Sequence, residues 1–220
     1  MSNPDSFIEE VSEEVRRDRM NRLLRKYGWI GVVAVIVIVG GAAFNEYRKA
    51  QAAAEAQALG DAIYQALEGT SEQTRVLALE EITPDPASAA VLGLLTAAES
   101  VTGTETAIAA LEAVIAGAET PDLYKDLARL RLVLMGDSGP ARSERRAMID
   151  MLTLGAGPFR LLALEQRALL EIEEGASDAA ISTLQDVIRS AGASAAQQQR
   201  AAQLIVALGG DVASLLPEQG

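Results

Sequence analysis

Between Gly28 and Phe44 the chain runs GWIGVVAVIVIVGGAAF, 17 residues without a charge or a proline. Coiled as a helix, this run rises about 25 Å, against about 30 Å of hydrocarbon in a bilayer. Tyr27 at one end and Asn45, Glu46 and Tyr47 at the other close the gap. Aromatic side chains prefer the two membrane–water interfaces. Of the eight Phe, Trp and Tyr residues, four sit at these edges: Tyr27, Trp29, Phe44 and Tyr47. A single membrane anchor explains this clustering better than a buried core helix does. The flanks orient it. Arg16, Arg17, Arg19, Arg22, Arg25 and Lys26 precede the run, and only Arg48 and Lys49 follow closely. Basic residues stay on the cytoplasmic side, so the N-terminus is expected in the cytoplasm and the large C-terminal region outside it. A cleavable signal peptide is the rival reading. However, 27 mostly polar residues come first, and the apolar run exceeds a usual signal core.

The segment before the anchor has a helical pattern of its own. Ser6 followed by Glu9 reads as a capping box, and Phe7, Ile8, Val11, Val15, Leu23 and Leu24 recur at helical spacing between charges. A short amphipathic helix is expected, lying on lipid or docking a partner. The chain should therefore divide into an amphipathic cytoplasmic segment over 1–27, a transmembrane helix over 28–47, a repeat domain over 48–209 and a C-terminal tail over 210–220.

Composition narrows the chemistry. The chain has no histidine and no cysteine. It therefore lacks the commonest general base, the thiol nucleophile and the commonest metal ligands. An enzyme here would need a Ser–Lys dyad or paired carboxylates. The region after Lys49 holds one lysine, Lys125, which reads most simply as a surface residue beside Asp126. No catalytic, cofactor or metal site is expected. From Ala50 onward there are 11 basic against 24 acidic residues. Such a surface repels phosphates and anionic headgroups, so nucleic acid is not an expected partner.

After Ala50 no segment alternates with period two, and helix signals recur instead. Asp85–Pro86 and Thr120–Pro121 each pair a capping residue with proline, Ser194 and Gln197 form a capping box, and Gly69, Gly103, Gly136, Gly175 and Gly192 fall where helices should stop. First helices of successive pairs are expected to begin near Ala52, Ala87, Asp122, Phe159 and Ala195, spaced 35, 35, 37 and 36 residues apart. Two helices in about 34 residues is the tetratricopeptide period. Second helices agree: Ala107-Ile108-Ala109-Ala110-Leu111 with Val114-Ile115 matches Ala180-Ile181-Ser182-Thr183-Leu184 with Val187-Ile188, 73 residues later. Between them Met148, Met151 and Leu152 fall near the expected positions, with Glu144 and Arg145 replacing the small and apolar pair. The expected fold is all-α, a transmembrane helix followed by a tetratricopeptide-like helical-hairpin solenoid. A plain helical bundle is the alternative.

The F-I-E-E-V segment, the GWIGVVAVIVIVG anchor, the blocks A-I-A-A-L-E-A-V-I and A-I-S-T-L-Q-D-V-I, and Asp126-Leu127-Ala128-Arg129-Leu130-Arg131-Leu132 together resemble the YfgM-like ancillary translocon subunits of bacterial inner membranes. The resemblance implies a single-pass inner-membrane protein with a periplasmic repeat domain. It implies as partners the Sec translocon, a membrane-anchored periplasmic prolyl isomerase or chaperone, and newly exported clients. It brings no catalytic motif.

The expected function is thus a non-enzymatic, membrane-anchored scaffold. A structural subunit of another inner-membrane complex, held through the anchor and N-terminal helix, is the alternative. In a solenoid the first helices of the pairs line the groove. Polar or bulky residues on them that miss the core pattern are the candidate partner-binding set: Glu99, Tyr124, Arg131, Arg160, Gln166 and Arg167.

Overall fold

A computed structural model describes residues 4–86, 88–101 and 104–212, with the backbone alone for 4–24, 27 and 28. Among the described residues the chain is all-helical. The helices are α1 (Pro4–Leu67), α2 (Glu72–Glu80), α3 (Ala89–Glu99), α4 (Thr104–Ala116), α5 (Asp122–Leu134), α6 (Arg142–Leu154), α7 (Arg160–Glu173), α8 (Ser177–Arg189) and α9 (Ala195–Ala207). A 3-10 turn, Gly136–Ser138, lies between α5 and α6. The chain separates into two compact units, Met1–Asp61 and Ala62–Gly220. The tail from 213, the helix end at Gly103 and the pair start at Ala87 lie outside the described residues, as does the apolar face expected over Phe7 to Leu24.

In the first unit the expected short helix and anchor are parts of one helix. No proline occurs between Pro4 and Pro84, and proline is the strongest helix breaker. The helix begins at Pro4, which suits a first helical position. Ser6 therefore sits inside the helix and does not begin it. Residues 29–58 are all exposed, including Trp29, Ile36, Ile38, Phe44 and Tyr47. This is a helix long and apolar enough to cross a membrane.

In the second unit local chemistry sets the helix ends. The Gln197 amide donates to Ser194 Oγ at 3.3 Å, and the Ser194 amide donates back to Gln197 Oε1 at 3.0 Å. A second box joins Ser71 and Thr74 at the start of α2. The Asp85–Pro86 and Thr120–Pro121 starts shift. The Ser88 amide donates to Asp85 Oδ1 at 3.2 Å, so Asp85 builds a turn and α3 starts at Ala89. Pro121 is itself the cap of α5, with extended ψ of 144°. At the end of α7, Gly175 takes φ +75°, a conformation only glycine adopts cheaply. Its amide donates to Ile172 O, and that of Ala176 donates to Glu171 O, which satisfies two orphan carbonyls.

From α2 onward each helix packs on its sequence neighbours, and α3 also touches α5, as α5 touches α7. Ala66, Leu79 and Leu92 form the first core patch. Ala90, Ala97, Ala107, Leu111, Val114, Ala128 and Leu132 join α3, α4 and α5. Here the backbones come so close that a Cβ on Gly93 would lie 2.6 Å from Val114 Cγ2. Leu164, Ala168, Ala180, Leu184, Val187, Ala201 and Ile205 unite α7, α8 and α9. The middle pair departs from the expected register by one residue. In α6 the buried positions are Arg145, Ile149 and Leu152, matching Ala107, Leu111 and Val114 of α4 and Ala180, Leu184 and Val187 of α8. Met151 is half exposed. The 3-10 turn before α6 adds the extra residue, so α4 and α6 start 38 residues apart while α6 and α8 start 35 apart.

Candidate protein-binding face

The first helices of the pairs, α3, α5 and α7, each bury part of their circumference against second helices. On α3 the exposed side carries Val91 and Ala98, seven residues apart on one helix face, while Leu95 between them packs against the Ala66–Leu79–Leu92 patch. On α5 that side carries Leu123, Leu127 and Leu134, with Leu123 at 52% and Leu134 at 57% exposure. On α7 it carries Leu162, Gln166 and Leu169. Because α3 touches α5 and α5 touches α7, these faces succeed one another along the array. Val91, Leu123, Leu134, Leu162 and Leu169 present aliphatic surface there that the core does not use. Apolar side chains gathered on one surface mark a binding site more often than scattered ones do.

The structure splits the six polar or bulky candidates. Glu99 Oε2 accepts from Arg75 Nε at 2.6 Å, joining α3 to α2. Arg131 Nη1 donates to Leu94 O at 2.9 Å, a strap from α5 to α3. Tyr124 is half-buried against the α3–α4–α5 core. Arg167 Nε lies 3.3 Å from Glu171 Oε1, and its Nη2 lies 3.9 Å from Asp150 Oδ1 of α6. These four side chains are engaged within the chain. Arg160 is exposed, and Gln166 is half-buried between Leu162 and Leu169. The flanking leucines escaped the sequence reading because a leucine at helical spacing reads as core. The available signal was surplus. α5 has Leu123, Leu127, Leu130, Leu132 and Leu134, more than one buried stripe holds.

A second polar group lies in the α6–α7 seam. Arg145 is 5% exposed. Its Nη2 sits 3.2 Å from Glu173 Oε2 and 3.4 Å from Asp137 Oδ1 of the 3-10 turn. Arg146 pairs with Glu174, and Arg142 lies 3.7 Å from Glu173. Every basic group in the seam has an acidic partner inside it, so the cluster ties helices together.

Residues 24–137 match the family described as tetratricopeptide repeat-like domain. No curated protein and no solved structure matched the chain. Arrays of this kind act as protein-interaction scaffolds, with the partner held by surfaces of the stacked helices. The matched span covers just over half of the 220 residues, and its helices α2 to α5 pack as stacked pairs, so the chain belongs to the tetratricopeptide repeat-like domain family.

Proposed function

We propose that the chain is a non-enzymatic scaffold tethered to a bacterial inner membrane, with residues 1–27 cytoplasmic, 28–47 in the bilayer, the array over 48–209 periplasmic and 210–220 a tail. The observation that carries this reading is the aliphatic succession on α3, α5 and α7, on a chain with an exposed apolar helix. Apolar segments of incompletely folded proteins suit such a face, because burying them removes apolar area from water. The likeness to YfgM-like subunits supports the Sec translocon and a membrane-anchored prolyl isomerase or chaperone as partners, with exported proteins as clients. Arg160 and Gln166 supply polar contacts at the α7 end of this face. Glu99, Tyr124, Arg131 and Arg167 border it while holding the helices in place.

Two experiments test this. A reporter active only outside the cytoplasm, fused after Gly220, should be active, and a cytoplasm-only reporter should be silent. The reverse pattern overturns the orientation and the export-side role together. Affinity capture of the full chain in mild detergent should lose translocon subunits when Leu123 and Leu162 are changed to Glu. Arg160→Glu should weaken capture several-fold at an unchanged melting temperature, because exposed charges act on association more than on folding. Arg131→Glu and Arg167→Glu should weaken capture and lower the melting temperature, since both guanidiniums have partners inside the chain. If capture survives the leucine changes but is lost on deleting residues 1–26, the chain is a subunit held through its N-terminal segment.

A further inference from the structure

α2 has nine residues where α4, α6 and α8 have 13 each. The deficit is about one helical turn, and the chain from Ile82 to Pro86 continues without helix. Beside the shortened α2 a groove of about 790 Å³ runs along the outer side of α4. Ala90 and Gly93 of α3 line its floor, and the exposed Ala109 and Ala113 of α4 line one wall. Glu80, Glu105 and Glu119 line it at the surface, and no lysine or arginine does so among the described residues. None of the three glutamates takes part in an ion pair there. The groove occupies the side of α3 opposite Val91 and Ala98, so it is separate from the face on the first helices.

We propose that this groove docks an amphipathic α-helix of a partner protein, one with a narrow ridge of alanine and leucine between lysine or arginine flanks. Three features select that occupant. Walls of alanine and glycine let a second backbone approach to helix-packing distance, about 8–10 Å between axes. From Glu105 to Val114 the groove follows α4 for about 14 Å, roughly two and a half turns of a docked helix. A helix satisfies its own backbone hydrogen bonds. An extended segment would leave its amides unpaired over the middle of the floor, around Gly93 and Ala110, where the backbone groups are already bonded within α3 and α4. The charge then selects among helices. Three unpaired carboxylates on an array with 24 acidic and 11 basic residues from Ala50 onward attract basic flanks and repel both acidic helices and a second copy of the array.

The test uses the full chain in detergent micelles and two labelled peptides of about 16 residues. Both carry the same alanine–leucine ridge, one flanked by lysines and the other by glutamates, and binding is read by fluorescence anisotropy. The lysine peptide should bind and the glutamate peptide should not. Ala113→Trp, at an exposed wall position, should weaken binding by about tenfold or more by filling the groove. Glu105→Lys and Glu119→Lys should each weaken the lysine peptide roughly threefold at low salt, and together admit the glutamate peptide. Circular dichroism melts of all variants should match the parent. Equal binding of the two peptides, or binding indifferent to Ala113→Trp, overturns the proposal. So does a dimer of the chain that Ala113→Trp dissociates, because the occupant is then a second copy.

Discussion

Helices α6 and α8 hold the same place in successive pairs, yet their joints are built differently. α8 fills its three inward positions with Ala180, Leu184 and Val187, each with no exposed surface, and they belong to one continuous cluster with α7 and α9. α6 fills the same positions with Arg145, Ile149 and Leu152. Around it the core breaks into two small patches, Leu130–Leu152–Ala163 and Val133–Ile149–Leu170. An arginine can replace an alanine here because Glu173 and Asp137 meet its charge within 3.4 Å. The repeat thus constrains which positions point inward more tightly than it constrains what fills them. Apolar contacts can add up to a continuous core. A buried charge needs its own partners and splits that core.

The largest expected difference between the joints is in cavity cost. Leu184→Ala should destabilise the array by about 3–5 kcal/mol, and Ile149→Ala by about 2–3 kcal/mol, because its smaller patch encloses less. Urea unfolding of the full chain in micelles, followed by circular dichroism, measures both. Equal costs would erase the contrast. Next comes the charge itself. Glu173→Gln should cost about 1–3 kcal/mol, less than a fully buried pair would, because Asp137 stays beside Arg145 and Glu173 is partly hydrated. Arg145→Met should fall within about 1 kcal/mol of the parent, since an apolar side chain of similar length suits the site. If Arg145→Met costs as much as Leu184→Ala, the ion pair is a main support of the joint. The smallest effect belongs to Arg200 and Glu165, whose bidentate contact at 3.0–3.2 Å links α9 to α7 near the surface. Glu165→Gln should cost at most about 1 kcal/mol and should fade as salt is raised.

Much of this was legible from the sequence where the signal is local. The long apolar helix near the N-terminus, the Ser194–Gln197 cap, the stop at Gly175 and the inward Leu111 and Leu184 all follow from spacings of a few residues. What escaped depends on distant contacts. The register of α6 slipped because a 3-10 turn and a proline loop look alike in sequence. Arg145 read as a degenerate repeat position because its acid Glu173 is 28 residues away. Glu99 and Arg131 read as groove residues because Arg75 and Leu94 O are 24 and 37 residues away. The leucines of α5 and α7 were hidden by abundance, since composition does not tell an inward leucine from an outward one.

The buried Arg145 also bears on how such a chain can be inherited. Repeat proteins grow and shrink by duplicating or losing whole units. A helix such as α8, joined through apolar side chains alone, can be copied or exchanged with little regard to its new neighbours. α6 cannot, because its cation is matched from the turn before it and from the end of the helix after it. A recombination that parts Arg145 from Glu173 leaves its buried guanidinium facing only the solvent-exposed Asp137. The region from Asp137 to Glu174 should therefore pass between descendants as one block, while the units on either side remain free to change in number.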